Sequence, residues 1–242
     1  MNDFKTIFGQ DLAIKILEAA ISKNQIAPAY LFSGPEGVGR KKTAKTFIKQ
    51  ILDRNILREG TNRKIESNNH PDLLWIKPSY ISQGKIISHD KAKLDNLSIK
   101  SPPKIRLSQI KEIIEFLGKK PMEAEKSIVI IEDVERMNES ASNALLKTLE
   151  EPNQGIFILI SERPEKLLTT IRSRCQMVPF KRLDNNWIKE IIKHHGERQE
   201  INEIPNEIRR DLIVFSNGSP GMYLANLKSW LDISTSLRKN LK

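Results

Sequence analysis

The chain has 242 residues, 40 lysines and arginines against 30 aspartates and glutamates, a net charge of +10 and one cysteine. That length suffices for one large domain with a smaller companion, while the lone Cys175 excludes a disulfide framework or a multi-cysteine zinc site. With no signal peptide and no long apolar run, a cytoplasmic protein without a membrane span is predicted. The positive charge permits contact with a polyanion, yet no basic block stands out, so charge alone does not separate a nucleic-acid binder from an ordinary charged surface.

In chain order, Asp11 to Lys23 carries Leu12, Ile16, Ala19 and Ala20 at helical spacing, and Ala29 to Ser33 reads as a short buried strand. A glycine-rich turn follows, then a helix from Arg40 to Leu52 with Ala44, Phe47, Ile48 and Ile51 on one stripe. Leu73 to Ile76, Ser127 to Ile131, Gly155 to Ile160 and Gln176 to Phe180 read as further strands. Leu107 to Leu117, Asn138 to Leu149 and Glu165 to Arg174 read as helices, the second capped by Asn138 and ended by Pro152. The polar stretches Ile56 to Asn69 and Ser79 to Pro103 are predicted loops.

Strand–helix alternation predicts an α/β domain over residues 1–180, with a parallel sheet covered by helices on both faces. After Phe180 the strands stop. Helical patterns at Trp187 to His194, Glu207 to Phe215 and Gly221 to Trp230 predict a small all-helical domain over 181–231, with 232–242 as the start of a linker.

Gly34-Pro35-Glu36-Gly37-Val38-Gly39-Arg40-Lys41 has the glycine frame of a phosphate-binding loop, G-x-x-x-x-G-K-[ST]. In that motif backbone N–H groups wrap phosphates at a helix N-terminus, the Lys reaches the outer phosphates and the hydroxyl holds Mg²⁺. Gly34 and Gly39 are correctly spaced, but Arg40 replaces the Lys and Lys41 the hydroxyl. A planar fork does not substitute for a compact ammonium, and Lys41 has no oxygen for a metal. Shifting the reading to Lys42-Thr43 moves the pair by about 200° around the helix. A surface turn would carry the same glycines; the strand before and the helix after favour the phosphate-loop reading.

Ile128-Val129-Ile130-Ile131-Glu132-Asp133 is an apolar strand ending in two acids, the setting of a Walker B motif. There the first carboxylate serves Mg²⁺ and the second polarises water. The usual order is Asp then Glu; here it is reversed, which leaves Glu132 too long for the metal and Asp133 too short for the water. Two acids solvating a strand end would look alike, but beside the altered loop they read as the second half of one degenerate site.

The run Asn143-Ala144-Leu145-Leu146-Lys147-Thr148-Leu149-Glu150-Glu151-Pro152, followed by Ile171-Arg172-Ser173-Arg174-Cys175-Gln176, resembles the clamp-loader group of AAA+ proteins. Within that group the altered loop is similar to the delta-prime family of bacterial DNA polymerase III. Asn69-His70-Pro71-Asp72, Phe8-Gly9-Gln10 and Gly218-Ser219-Pro220-Gly221 also match, so the resemblance covers about Phe8 to Leu231; the Gly-Val-Gly-Arg loop, the His70-Pro71-Asp72-Leu73-Leu74-Trp75 stretch and Pro102 to Leu107 are similar to cyanobacterial forms.

The resemblance implies an AAA+ fold with a helical lid and a subunit that is not itself an ATPase. It implies that Arg174, flanked by Ser173 and Cys175, is an arginine finger reaching a neighbouring subunit's ATP. A guanidinium supplied in trans can be worth about 10³–10⁵ in rate. Cys175 reads as a packed residue, not a nucleophile. Implied partners are clamp-loader ATPase subunits and the clamp-opening subunit, with the sliding clamp and primer-template DNA met through the complex.

Three departures from the family carry weight. Ile51 to Asn69 lacks the four cysteines that bind zinc in many delta-prime subunits, so no zinc is expected; Pro220-Gly221 stands where ATPase members place a phosphate-touching Arg; and the chain stops at Lys242, in what resembles the linker to a C-terminal collar that is absent here or lies beyond an incomplete sequence. ATP and Mg²⁺ are therefore expected to bind weakly if at all. A weak ATPase using Arg40 or Lys41, and a basic nucleic-acid-binding module, are the alternative readings.

Overall fold

The computed structural model describes residues 3–53, 61–82, 85–88, 101–151, 155–195 and 204–233. Helix α1 (Asp11–Ser22) precedes strand β1 (Ala29–Ser33), and α2 (Arg40–Asp53) leaves the glycine turn after it. A short α3 (Thr61–Glu66) leads to β2 (Leu73–Ile76), and a hairpin of β3 (Ser79–Ser82) and β4 (Lys85–Ser88) precedes α4 (Leu107–Leu117). Then come β5 (Ser127–Ile131), α5 (Glu139–Glu150), β6 (Gly155–Ser161), α6 (Thr169–Ser173) and β7 (Gln176–Pro179).

The five-stranded sheet has the order β2-β5-β6-β1-β7 and every pairing in it is parallel. Strands β1, β5 and β6 are buried along their whole length, as continuous apolar runs must be when helices cover both faces. Alternate residues feed two cores. Tyr30, Phe32, Ile128 and Ile158 pack with Leu17, Phe47 and Ile48 on one face, while Leu31, Val129 and Leu159 pack with Ile110, Leu145 and Ile171 on the other. Because β1 lies between β6 and β7, the turn at its carboxyl end opens where ligands of open α/β sheets bind.

The segment before β5 is fixed by Asp72, whose carboxylate accepts from the backbone N–H groups of Met122, Glu123 and Ala124, each at 2.7 Å. Buried His70 accepts from Asp72 N–H through Nδ1 at 3.2 Å. The His-Pro-Asp stretch thus acts as a brace that sets β2 beside β5.

Beyond the sheet, α7 (Asn185–His195), α8 (Asn206–Ser216) and α9 (Pro220–Asp232) bury Leu183, Ile188, Leu212, Ile213, Tyr223 and Leu227 in a core of their own.

Two predicted loops are corrected. Residues 61–66 form α3, and 79–82 with 85–88 form the hairpin, joined to Lys104 by a bridge from Ser79. Both elements are short, and their order comes from neighbours: Lys49 Nζ and Lys45 Nζ of α2 reach Glu66 of α3 at 2.6 Å and 2.9 Å, while Gln109 on α4 accepts from Ser79 Oγ at 3.0 Å and donates to Lys77 O at 2.9 Å. The helix predicted over 165–174 is a 3-10 turn (Pro164–Lys166) followed by the five-residue α6. Pro152 lies outside the described residues, so its helix-ending role is not described; the same holds for most of the 232–242 linker.

Candidate functional site

The turn after β1 brings Gly34, Gly37 and Gly39 together, all with positive φ, and ends where Arg40 begins α2. Gly37 has φ 73°, and a Cβ there would stand 2.3 Å from Ser219 Oγ, so only glycine fits. The loop is held from the helical side. Ser219 Oγ donates to Glu36 O at 2.9 Å while accepting from Met222 N–H as the cap of α9, and Gly221 N–H donates to Gly37 O at 2.9 Å. Gln10, 2% exposed, donates to Val38 O at 3.3 Å and to Lys181 O at 2.8 Å, and accepts from Lys181 N–H at 3.1 Å. One amide thereby ties the loop to the segment joining the sheet to the helices.

The two cations of the altered motif have different surroundings. Arg40 is 6% exposed, and its Nη1 has no hydrogen-bond partner among the described residues. Burial lowers its pKa, and the charges of Glu135, Asp133, Glu162 and Glu36 push it back up. The carboxylate oxygen Oε2 of Glu135 is likewise buried without a hydrogen bond. Lys41 instead makes an ion pair with Glu132 Oε2. The other oxygen of Glu132 accepts from Trp75 Nε1 at 2.6 Å, and Lys45 Nζ lies 5.4 Å from the Trp75 ring centroid. Glu132 thus has a partner on each oxygen, the Lys41 ammonium and an indole from β2.

Asp133 sits in the left-handed region at φ 46°, with its carboxylate 3.6 Å from Arg136 Nε. Burial raises its pKa, with the Lys41 charge acting in the opposite direction. The shifted reading with Lys42-Thr43 fails on geometry: Thr43 is buried and its hydroxyl donates to Gly39 O at 3.0 Å, while Lys42 Nζ reaches Thr6 O at 2.8 Å.

Ser173, Arg174 and Cys175 stand apart from this loop, at the end of α6. Ser173 Oγ donates to Thr170 O at 3.1 Å. Cys175 is buried and its thiol is pushed up to about 12 by burial, so it stays protonated at neutral pH and packs beneath the turn. Arg174 is exposed; its Nη2 donates to Glu150 Oε1 at 2.8 Å and its Nη1 to Thr170 O at 3.0 Å. Among the described residues no group of three or more His, Cys, Asp or Glu could hold a metal ion, and no helix is long and apolar enough to cross a membrane.

Trp75, Gln10 and Glu150 are the participants that residue-type reasoning passed over. Gln10 and Glu150 lie inside matched motifs, which was a signal of place without role. Trp75 lies within the short strand β2, in the His-Pro-Asp-Leu-Leu-Trp stretch of the resemblance, again a signal of place without role.

Sheet order, glycine turn and trailing helices define an AAA+ type α/β protein. Solved structures agree on the fold: a gamma-subunit-related DNA polymerase III protein from Thermotoga maritima matches with TM-score 0.51 and 21% identity, over 94% of this chain and 64% of that one. The Thermotoga maritima RuvB Holliday junction branch migration motor matches with TM-score 0.60 and 17% identity, over 98% of this chain and 67% of that one. The family model described as DNA polymerase III, delta subunit, matches residues 9–184, and the chain belongs to that family. It is 33% identical over 203 residues to DNA polymerase III subunit delta' of Bacillus subtilis, covering 78% of this chain and 54% of the relative. It is also 33% identical over 186 residues to subunit tau of the same organism, covering 76% of this chain and 30% of tau. The chain therefore spans about half the length of the first of these relatives and less than a third of the second.

Proposed function

We propose that this chain is a non-ATPase subunit of the DNA polymerase III clamp loader, one that stiffens the ring and supplies Arg174 in trans to the ATP site of an adjacent ATPase subunit. Membership of the delta subunit family supports the assembly, and the neighbours of Glu132 support the absence of ATP turnover. In an ATPase the cation beside the strand-end carboxylate is Mg²⁺; here the Lys41 ammonium pairs with Glu132, and that single contact carries the reading. With Lys41 in that role the Glu132 charge is already balanced by an ammonium, and a divalent ion would have to compete with it for the carboxylate.

In this reading the clamp-opening subunit, the sliding clamp and primer-template DNA are met through the complex, in the cytoplasm, and neither zinc nor tightly bound nucleotide is needed. Calorimetric titration with Mg-ATP is the direct test, with at most weak binding expected. Sub-micromolar affinity together with turnover abolished by Glu132→Gln would support an ATPase instead.

A further inference from the structure

The Arg174 guanidinium is fixed before any neighbour is present. Its backbone N–H donates to Ile171 O at 3.2 Å, and Ile171 and Cys175 are buried beneath it, so the base of the side chain is pinned by the core. Its far end bonds two groups, Thr170 O at 3.0 Å through Nη1 and Glu150 Oε1 at 2.8 Å through Nη2. Thr170 belongs to the same short helix, whereas Glu150 is the last residue of α5 and lies 24 positions away in sequence. Only the second bond sets the guanidinium relative to another element of the fold.

From this geometry we infer that Glu150 is a positioning residue for Arg174: it holds the guanidinium in the pose in which it is presented to the neighbouring subunit's ATP. The inference rests on the trans role proposed for Arg174 and adds the residue that aims it. Glu150 has no evident use in its own helix, since a carboxylate at a helix C-terminus faces the negative end of the dipole. Nor is an exposed ion pair of this kind a strong contributor to folding, with side chains 36% and 48% exposed. Its consequence is geometric. Arginine has five N–H donors and two are engaged by Thr170 and Glu150, so the remaining three can meet phosphate oxygens with neither bond broken. Glu150 therefore need not compete with the nucleotide.

The test uses the full-length protein assembled with its ATPase subunits, clamp and primed DNA, and measures kcat and KM for ATP separately. Glu150→Ala should lower the stimulated kcat about three- to tenfold, the range for releasing the rotamers of one long side chain, with KM changed less than about twofold because the ground-state site belongs to the neighbour. Glu150→Gln should recover most of the rate, since its amide oxygen accepts at the same reach. Glu150→Ala combined with Arg174→Ala should be no slower than Arg174→Ala alone. Where Glu150→Ala assembles poorly, Glu150→Lys replaces it and should lower kcat at least as far, by repelling the guanidinium. A parental kcat in the Glu150 variants beside an impaired Arg174→Ala would overturn the positioning role and leave the trans role standing. Additive losses in the double variant would overturn it too, while a parental rate in Arg174→Ala would remove both.

Discussion

Gly221 rests directly on Gly37: a Cβ on Gly221 would lie 2.8 Å from Gly37 Cα, and its N–H donates to Gly37 O at 2.9 Å. The start of α9 is thereby bonded to the apex of the turn after β1. The helical side thus donates a backbone N–H to Gly37 O and the Ser219 hydroxyl to Glu36 O.

Replacing Gly221 by Ala should push the two backbones apart. The atoms met at that point are all main chain of Gly37, which yields less than a side chain, and overpacking of this kind costs about 1–3 kcal/mol. Gly37→Ala should cost more, because it adds a residue at φ 73° to a Cβ that would stand 2.3 Å from Ser219 Oγ. Urea denaturation of both variants checks the order, and Gly37→Ala proving the milder would show that the contact is slack.

Restoring the motif letters should not restore the site. The Arg40→Lys/Lys41→Thr variant regains the phosphate Lys and the hydroxyl and loses the Lys41–Glu132 pair, yet Glu132 and Asp133 keep their reversed order and Pro220-Gly221 still supplies no arginine. Mg-ATP affinity should therefore rise by no more than about tenfold, equivalent to about 1.4 kcal/mol. The Lys41 exchange should nonetheless alter Trp75 fluorescence, since the indole donates to the carboxylate that Lys41 neutralises. Tight binding by this double variant would mean that Arg40 and Lys41 alone keep nucleotide out.

What sequence could and could not reveal divides along contact distance. Strand β1, its glycine turn and β5 were readable because a buried parallel strand is an unbroken apolar run and a phosphate loop is a local spacing. Arg40 and Lys41 announced themselves as wrong residues at known positions. Their surroundings could not be read: Lys41 and Glu132 follow strands that have β6 between them, and Gly37 and Gly221 meet across about three quarters of the chain. The missed α3 and hairpin fail for the same reason, being short elements ordered by partners elsewhere in the chain, Lys45 and Lys49 for α3 and Gln109 for the hairpin.

His70 should make stability fall on the acid side of neutrality. Its pKa is lowered below 6.5 chiefly by burial, against the opposing charges of Glu123 and Asp72. The folded state therefore holds it neutral, while the unfolded chain takes up a proton near pH 6.5. Its contribution is full above that pH, is lost at up to about 1.4 kcal/mol per pH unit as pH falls toward the folded pKa, and levels off below it. His70→Asn removes the titration and still offers an oxygen to Asp72 N–H. Denaturation between pH 5 and 7 should show a flatter profile for this variant, and an unchanged slope would assign the effect elsewhere.

Zinc should be absent in stoichiometric amount, because Cys175 is the only cysteine and it is buried as a thiol. Metal analysis and melting with and without chelator check this. An equimolar, tightly held zinc that chelator removes with a fall in melting temperature would overturn the expectation for the Ile51 to Asn69 region.

Arg174→Ala should separate folding from assembly function. Among the described residues the guanidinium bonds the exposed Glu150 carboxylate and the Thr170 carbonyl, and an exposed pair of this kind contributes about 0–1 kcal/mol, so the melting temperature should barely move. In a reconstituted loader the same change should lower DNA- and clamp-stimulated ATP turnover and clamp loading, because charge developing on a transferred phosphoryl group would lose its counter-charge. Arg174→Lys should recover little: an ammonium cannot bond Thr170 O, Glu150 and phosphate oxygens at once from a planar fork. An Ala variant that assembled normally and loaded clamps at the parental rate would leave Arg174 as a surface partner of Glu150 and nothing more.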